Sequence, residues 1–130
     1  MDNQRLQTII EDISRQVEGD PGYWSFAVGE RQVIVITDVA ADRMRIMTPV
    51  AEDGVLTPDA SSVLLHANFD RALDARYALA RGYIWSVFIH PLSPLTDAEF
   101  RDGVSQVVTL ADNYGTSYSS GALVFQGGQN

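Results

Sequence analysis

Leu6, Ile9, Ile10, Ile13 and Val17 recur at helical spacing, with Glu11, Asp12, Arg15 and Gln16 between them. This predicts an amphipathic helix over residues 2–18, ended by the glycine and proline of residues 18–22. The period then falls to two, and residues 23–28, 32–37 and 43–50 read as three strands. The first two are joined by a tight turn at Gly29–Arg31 and the last two by a turn over Asp38–Asp42. Val33 and Val35 alternate with Ile34 and Ile36, so this strand is expected to be buried on both sides and central in its sheet. In the third strand Met44 and Ile46 face a core while Arg43 and Arg45 face water, and Pro49 marks an edge or a bulge.

A second helix is expected over residues 56–69. Thr57 is placed to cap it, Pro58 suits its first position, and Asn68 is placed to stop it. Residues 71–80 and 82–90 read as a strand pair. In the latter, Tyr83, Trp85, Val87 and Ile89 alternate with Ile84, Ser86, Phe88 and His90, so both faces are largely apolar. Pro91 and Pro94 make a rigid connector. Thr96 and Glu99 form a capping box that opens a last helix, whose apolar face is Phe100, Val104, Val107, Val108 and Ala111.

The predicted order is α-β-β-β-α-β-β-α. Strands and helices do not alternate regularly, so the fold class is α+β: a single domain with an antiparallel sheet packed against helices. Residues 1–115 are expected to form that domain. Residues 116–130 are expected to be a Ser/Gly-rich tail, partly mobile, whose Ala122–Phe125 segment is able to add a strand or dock on the core.

Composition narrows the chemistry. The chain has 130 residues and no cysteine, which removes disulfides, thiolate metal sites and a cysteine nucleophile. No apolar run reaches the ~20 residues of a membrane helix, and residues 1–16 form no signal-peptide core, so a cytoplasmic protein away from membranes is expected. A net charge of −8 opposes nucleic-acid binding. Arg71, Arg76 and Arg81 make no single stripe beside Tyr77 and Tyr83.

No phosphate-binding glycine loop and no Gly-x-Ser-x-Gly elbow occurs. His66 and Asp70 have a metal-like spacing, but Asn68 is expected to end the helix between them; His90 at a strand end is expected to bond a loop carbonyl. The expectation is therefore no catalytic residue, no metal, no cofactor and no enzyme.

Leu64, Leu65, Asn68 and Phe69, the strand pair Arg76–Ile89, then Leu92, Leu95, Thr96 and Phe100, and finally Leu110 and Ala111, resemble the type III secretion chaperone-like fold. That family includes CesT-type class I chaperones and YbjN-like proteins. The match is best over residues 57–115, and its motifs specify structure rather than chemistry.

The resemblance implies a homodimer, with Tyr83, Trp85 and Phe88 as dimer-interface residues; the alternative left open is that the first or last helix, or Ala122–Phe125, covers the second face of that strand within one chain. It also implies a non-catalytic module that binds a partner polypeptide or an effector-like segment. The first helix with the first and third strands is the expected groove, lined by Ile13, Val17, Trp24, Phe26, Met44 and Ile46. The alternative it leaves open is a stand-alone YbjN-like regulator in stress or signalling, not tied to secretion; a small ligand binder or enzyme is the third reading.

Overall fold

The computed structural model describes residues 1–52, 54, 58–70 and 72–114. The cap at Thr57 and the tail 116–130 lie outside them. The order is helix α1 (Asn3–Ile13), strands β1 (Val17–Asp20), β2 (Tyr23–Val28), β3 (Arg31–Asp38) and β4 (Arg43–Glu52), helix α2 (Pro58–Asp70), strands β5 (Arg76–Ala80) and β6 (Tyr83–Pro91), and helix α3 (Asp97–Asp112). The six strands make one antiparallel sheet in the order β1-β2-β3-β4-β6-β5. The α+β architecture and the element order agree with the sequence reading, with one short edge strand added.

That addition shortens the first helix. Asp2 caps α1 by accepting from the Arg5 amide, and the helix closes at Ser14, not at residue 18. Val17, which fits the helical spacing, instead pairs with Phe26, and Asp20 pairs with Tyr23 across the Pro21–Gly22 turn. Proline presets the first turn position, and Gly22 supplies the positive φ (106°) that the second needs. Strand pairing here outweighs the continuation of an exposed, acidic helical end.

One face of the sheet is the core. Trp24 and Phe26, Val33 and Val35, Met44 and Ile46, and Ile84 and Phe88 point inward from four adjacent strands. Leu6, Ile9 and Ile10 of α1 and Phe100, Val104 and Val107 of α3 meet them there. The polar groups on this face are each satisfied. The Trp24 indole donates to Gln7 Oε1 (2.6 Å), Thr37 to Asn3 (2.7 Å), Ser86 to the Val107 carbonyl (2.8 Å) and Tyr77 to the Leu110 carbonyl (2.8 Å). A buried hydroxyl or indole without such a partner would be costly.

Gly103 lets α3 come close. A Cβ there would lie 3.0 Å from Ile46 Cδ1 and from the Phe88 ring. Phe88 is therefore an interior residue, on the opposite side of β6 from Tyr83 and Trp85. The register of β4 shifts between Pro49 and Ala51, so Pro49 marks a bulge, in a central strand and not at an edge.

Ion pairs and caps tie the helices down. Thr96 and Glu99 complete the capping box of α3. Arg5 pairs with Asp97, and Arg101 with Asp12 (2.9 Å), between α1 and α3. Asp42 sits at φ 55° in the β3–β4 turn, where its carboxylate accepts from the Ser93 amide and hydroxyl, both at 2.7 Å. Those two bonds hold its pKa below the usual carboxylate value. Asp97 is lowered by its bond to Arg5 and Glu99 by its bonds to Thr96.

A carboxylate with a depressed folded pKa stabilises above its unfolded value of about 3.9 and loses that contribution as pH falls through the folded value. The midpoint of thermal unfolding is expected to fall as pH is lowered below ~4. Asp42→Asn is expected to melt earlier than the parent at pH 7, with the gap narrowing as the pH is taken below ~4. A gap that stays constant across that range would remove the carboxylate's role.

Candidate functional site

α1 and α3 cover the inner face of the sheet, and α2 lies alongside the edge strand β5. Among the described residues nothing covers the outer face. Three rows cross it by strand register. The first runs Tyr23–Ile36–Arg45–Ile89, the second Ser25–Ile34–Met47–Val87–Arg76, and the third brings Pro49, Trp85 and Ala78 side by side. Tyr23 is 54% exposed and Ile89 57%. Ile34, Ile36, Met47, Trp85 and Val87 are half-buried by their own neighbours. Tyr83 packs edge-on against Trp85 at 6.0 Å, and the Trp85 indole donates to the Ala80 carbonyl (2.8 Å).

Strand β3 thus has one buried face and one open one; the doubly buried strand expected from Ile34 and Ile36 is not what forms. These isoleucines belong to an apolar surface on the outside of the molecule. Contiguous exposed apolar area of this kind marks an interaction surface.

The surface is not uniformly apolar. Arg43, Arg45 and Arg76 are exposed on it. Arg43 donates to the Asp42 carbonyl and Arg76 to the carbonyls of Leu73 and Ala75. Arg45 stands between Ile36 and Ile89 in its row and pairs with no carboxylate among the described residues. Glu18, Asp20 and Glu52 lie at the margins of this face, on β1 and at a strand end, and Asp38, opposite Arg43, shares a recess with Ile36, Arg45 and Ile89 without forming an ion pair to Arg45.

A second apolar surface runs along α2 and β5. Leu65 (69% exposed) and Phe69 (90%) are one helical turn apart on α2. A recess between them and the sheet is lined by Leu64, Leu65, Asn68, Tyr77, Ala78 and Leu79. Asn68 does not stop the helix, which continues to Asp70. Its side chain accepts from the Tyr77 amide (2.7 Å) and donates to the Tyr77 carbonyl (3.0 Å). Gln106 accepts from the Ala75 amide (3.2 Å). Two side chains thus occupy backbone groups that an unprotected edge strand would offer to an incoming strand.

The expected groove is not formed. Trp24, Phe26, Met44 and Ile46 are fully buried beneath α1 and α3, and Ile13 and Val17 are half-buried against the same core. These six positions are brought together, but as interior. Of the expected dimer residues, Tyr83 and Trp85 are on the outer face and Phe88 is not.

The histidines are placed apart. His66 is exposed on α2, on the same continuous helix as Asp70. His90 stacks on Phe88 at 5.9 Å, its Nδ1 lies 2.8 Å from the Pro91 carbonyl, and its Nε2 is 3.9 Å from Glu99. No group of three His, Cys, Asp or Glu side chains among the described residues is arranged to hold a metal. No described helix is long and apolar enough to cross a membrane.

This arrangement has the type III secretion chaperone-like fold. No family model matches the sequence, and no curated protein matches it. Solved structures do. A chain of the HopA1–SchA chaperone–effector complex is 13% identical, with a TM-score of 0.64 over 86% of this chain and 94% of that one. A chain of the ExsC–ExsE complex is 14% identical, with a TM-score of 0.65 over 88% and 94%. The complex of the Yersinia pestis type III secretion chaperone SycH with a stable fragment of YscM2 matches with 11% identity and a TM-score of 0.59 over 82% and 96%. At this identity the likeness is one of fold.

Proposed function

We propose that this chain is a non-catalytic polypeptide-binding module of secretion-chaperone type that works as a homodimer. The observation that carries the reading is the pair of open apolar surfaces on a scaffold whose solved relatives were captured as complexes with partners. The second copy seats on the α2–β5 side, where Leu65, Phe69 and Leu79 are exposed, with Tyr83 and Trp85 at its rim. The partner polypeptide takes the outer face of the sheet.

Several features favour a binding role over catalysis. Asp42, Asp97 and Glu99, the carboxylates with depressed pKa values, are each held by a structural partner: Ser93, Arg5 and Thr96. Asn68 and Gln106 occupy part of the β5 edge, so docking there rests on side chains and not on strand addition at Tyr77. A cytoplasmic setting fits a chain without cysteine.

Sedimentation equilibrium of the full chain at micromolar concentration is expected to give twice the 14.3 kDa chain mass. A single-chain mass at these concentrations would remove the dimer. The polypeptide-binding role is tested on the stoichiometric complex purified from the native host, by hydroxyl-radical footprinting. Tyr23, Met47, Trp85 and Ile89 are expected to be shielded relative to the free protein. Unchanged oxidation at every exposed side chain would overturn the binding role.

A further inference from the structure

We infer that the partner segment on the outer sheet face is an amphipathic helix that carries a carboxylate for Arg45. The inference rests on the binding reading above and specifies the chemistry of its ligand. Arg45 is flanked in its row by Ile36 and Ile89 and has no acidic partner among the described residues. Whatever covers those isoleucines also strips water from the guanidinium between them. A buried charge left unpaired is strongly unfavourable, so a purely apolar cover is rejected at this point. A carboxylate beside the apolar stripe meets the need, since the guanidinium fork binds carboxylate oxygens in pairs.

The location of the surface sets the conformation of the ligand. A segment on the face of a sheet, unlike one at its edge, has no strand to share hydrogen bonds with. Its backbone groups must be satisfied internally once buried, and a helix does this. From β2 to β5 the face spans four strand spacings, about 19 Å, which a helix of roughly 13 residues covers.

The other occupants meet the charge requirement less well. Residues 115–130 contain no Asp or Glu, so they offer Arg45 no side-chain carboxylate. A second copy laid face to face repeats the same arginines, and its carboxylates on this side are Asp38 and those at the margins. The chain is strongly acidic overall, with a net charge of −8. An apolar face that contains an arginine with no ion pair is therefore a local exception that selects acidic ligands over basic ones.

The test is a methyl NMR titration of the full chain, Ile-, Leu-, Val- and Met-labelled, with two designed helical peptides of about 14 residues. Both carry the same leucine stripe; one is flanked by Glu and the other by Lys. The Glu peptide is expected to shift the Ile36, Met47 and Ile89 methyls and to bind at least about tenfold more tightly than the Lys peptide. Arg45→Gln is expected to erase that preference and Arg45→Glu to invert it. Both are exposed substitutions and leave the folded spectrum otherwise intact.

Equal affinity of the two peptides, or a preference indifferent to Arg45→Glu, overturns the inference. So do shifts confined to α2 or β1, which would leave the binding reading standing. Ile36 and Ile89 methyls already shielded from a soluble paramagnetic probe in the free protein assign the face to the tail or to a second copy, and also overturn it. No shift anywhere with either peptide overturns the inference and counts against the binding reading as well.

Discussion

Trp24→Ala is expected to lower the unfolding free energy by about 3–5 kcal/mol, the range for emptying a buried large aromatic site. Trp24 is fully buried, and its indole donates to Gln7 on α1. The substitution therefore opens a cavity between helix and sheet and leaves a glutamine oxygen with one bond fewer. Small domains have ~5–15 kcal/mol to lose, so the variant keeps only part of its stability. With m-values of ~1–3 kcal/mol/M in urea, the midpoint of urea unfolding by circular dichroism should fall by roughly 1–5 M.

Trp24→Phe retains most of the volume and gives up the hydrogen bond, for a loss of about 0.5–1.5 kcal/mol. These outcomes separate two roles for the residue. A groove-lining Trp24 would leave the urea midpoint within the small range of surface substitutions and alter only partner binding. An unchanged midpoint would mean that the α1–sheet interface is not the core described above.

Trp24 also shows where reading the sequence stops. Its strand alternates cleanly, so the strand and the inward side of Trp24 and Phe26 follow from period two alone. Alternation cannot say whether an apolar face is covered by its own chain or by another. That depends on where α1 and α3 land, which is set by long-range contacts such as the approach of Gly103 to Ile46 and Phe88.

Strand β6 is the harder case, because both of its faces are apolar. The inner one even contains a serine, Ser86, made tolerable by the Val107 carbonyl. Hydrophobicity alone would choose Tyr83, Trp85, Val87 and Ile89 as the inside, and the fold does the opposite. Grouping Phe88 with Tyr83 and Trp85 as an interface set follows from the same ambiguity.

Local signals with a definite geometry fared better. The Thr96–Glu99 capping box forms, and Pro49 sits at a register shift. Arg43 and Arg45 face outward as their alternation requires. Asn68 was misleading because asparagine is common at helix stops. Its amide instead bonds both backbone groups of Tyr77, a residue nine positions away. No local rule reports a partner at that distance. β1 was missed for a related reason, since Val17 fits the helical period and pairs with Phe26 only after the chain turns back.

Phe69→Ala tests the paired state at the residue with most to gain from it. Phe69 is 90% exposed in the single chain, one turn from the similarly open Leu65. It does almost nothing for the fold of its own subunit. Exposed substitutions away from special features change stability by no more than about 0.5 kcal/mol, and alanine is the best helix former at such a site.

If α2 seats the second copy, the same side chain is an aromatic anchor of the kind that contributes ~2–4 kcal/mol on truncation. The dimer dissociation constant measured by sedimentation should then rise roughly 30- to 1,000-fold. The urea midpoint provides an independent check. For the parent protein it should increase with protein concentration, because association stabilises the folded state by mass action. For Phe69→Ala that dependence should vanish over the same range, while the midpoint extrapolated to low concentration stays unchanged. A variant that sediments with the parent at every concentration would place the second copy elsewhere. Leu65 and Phe69 would then be left as a surface still in need of a partner.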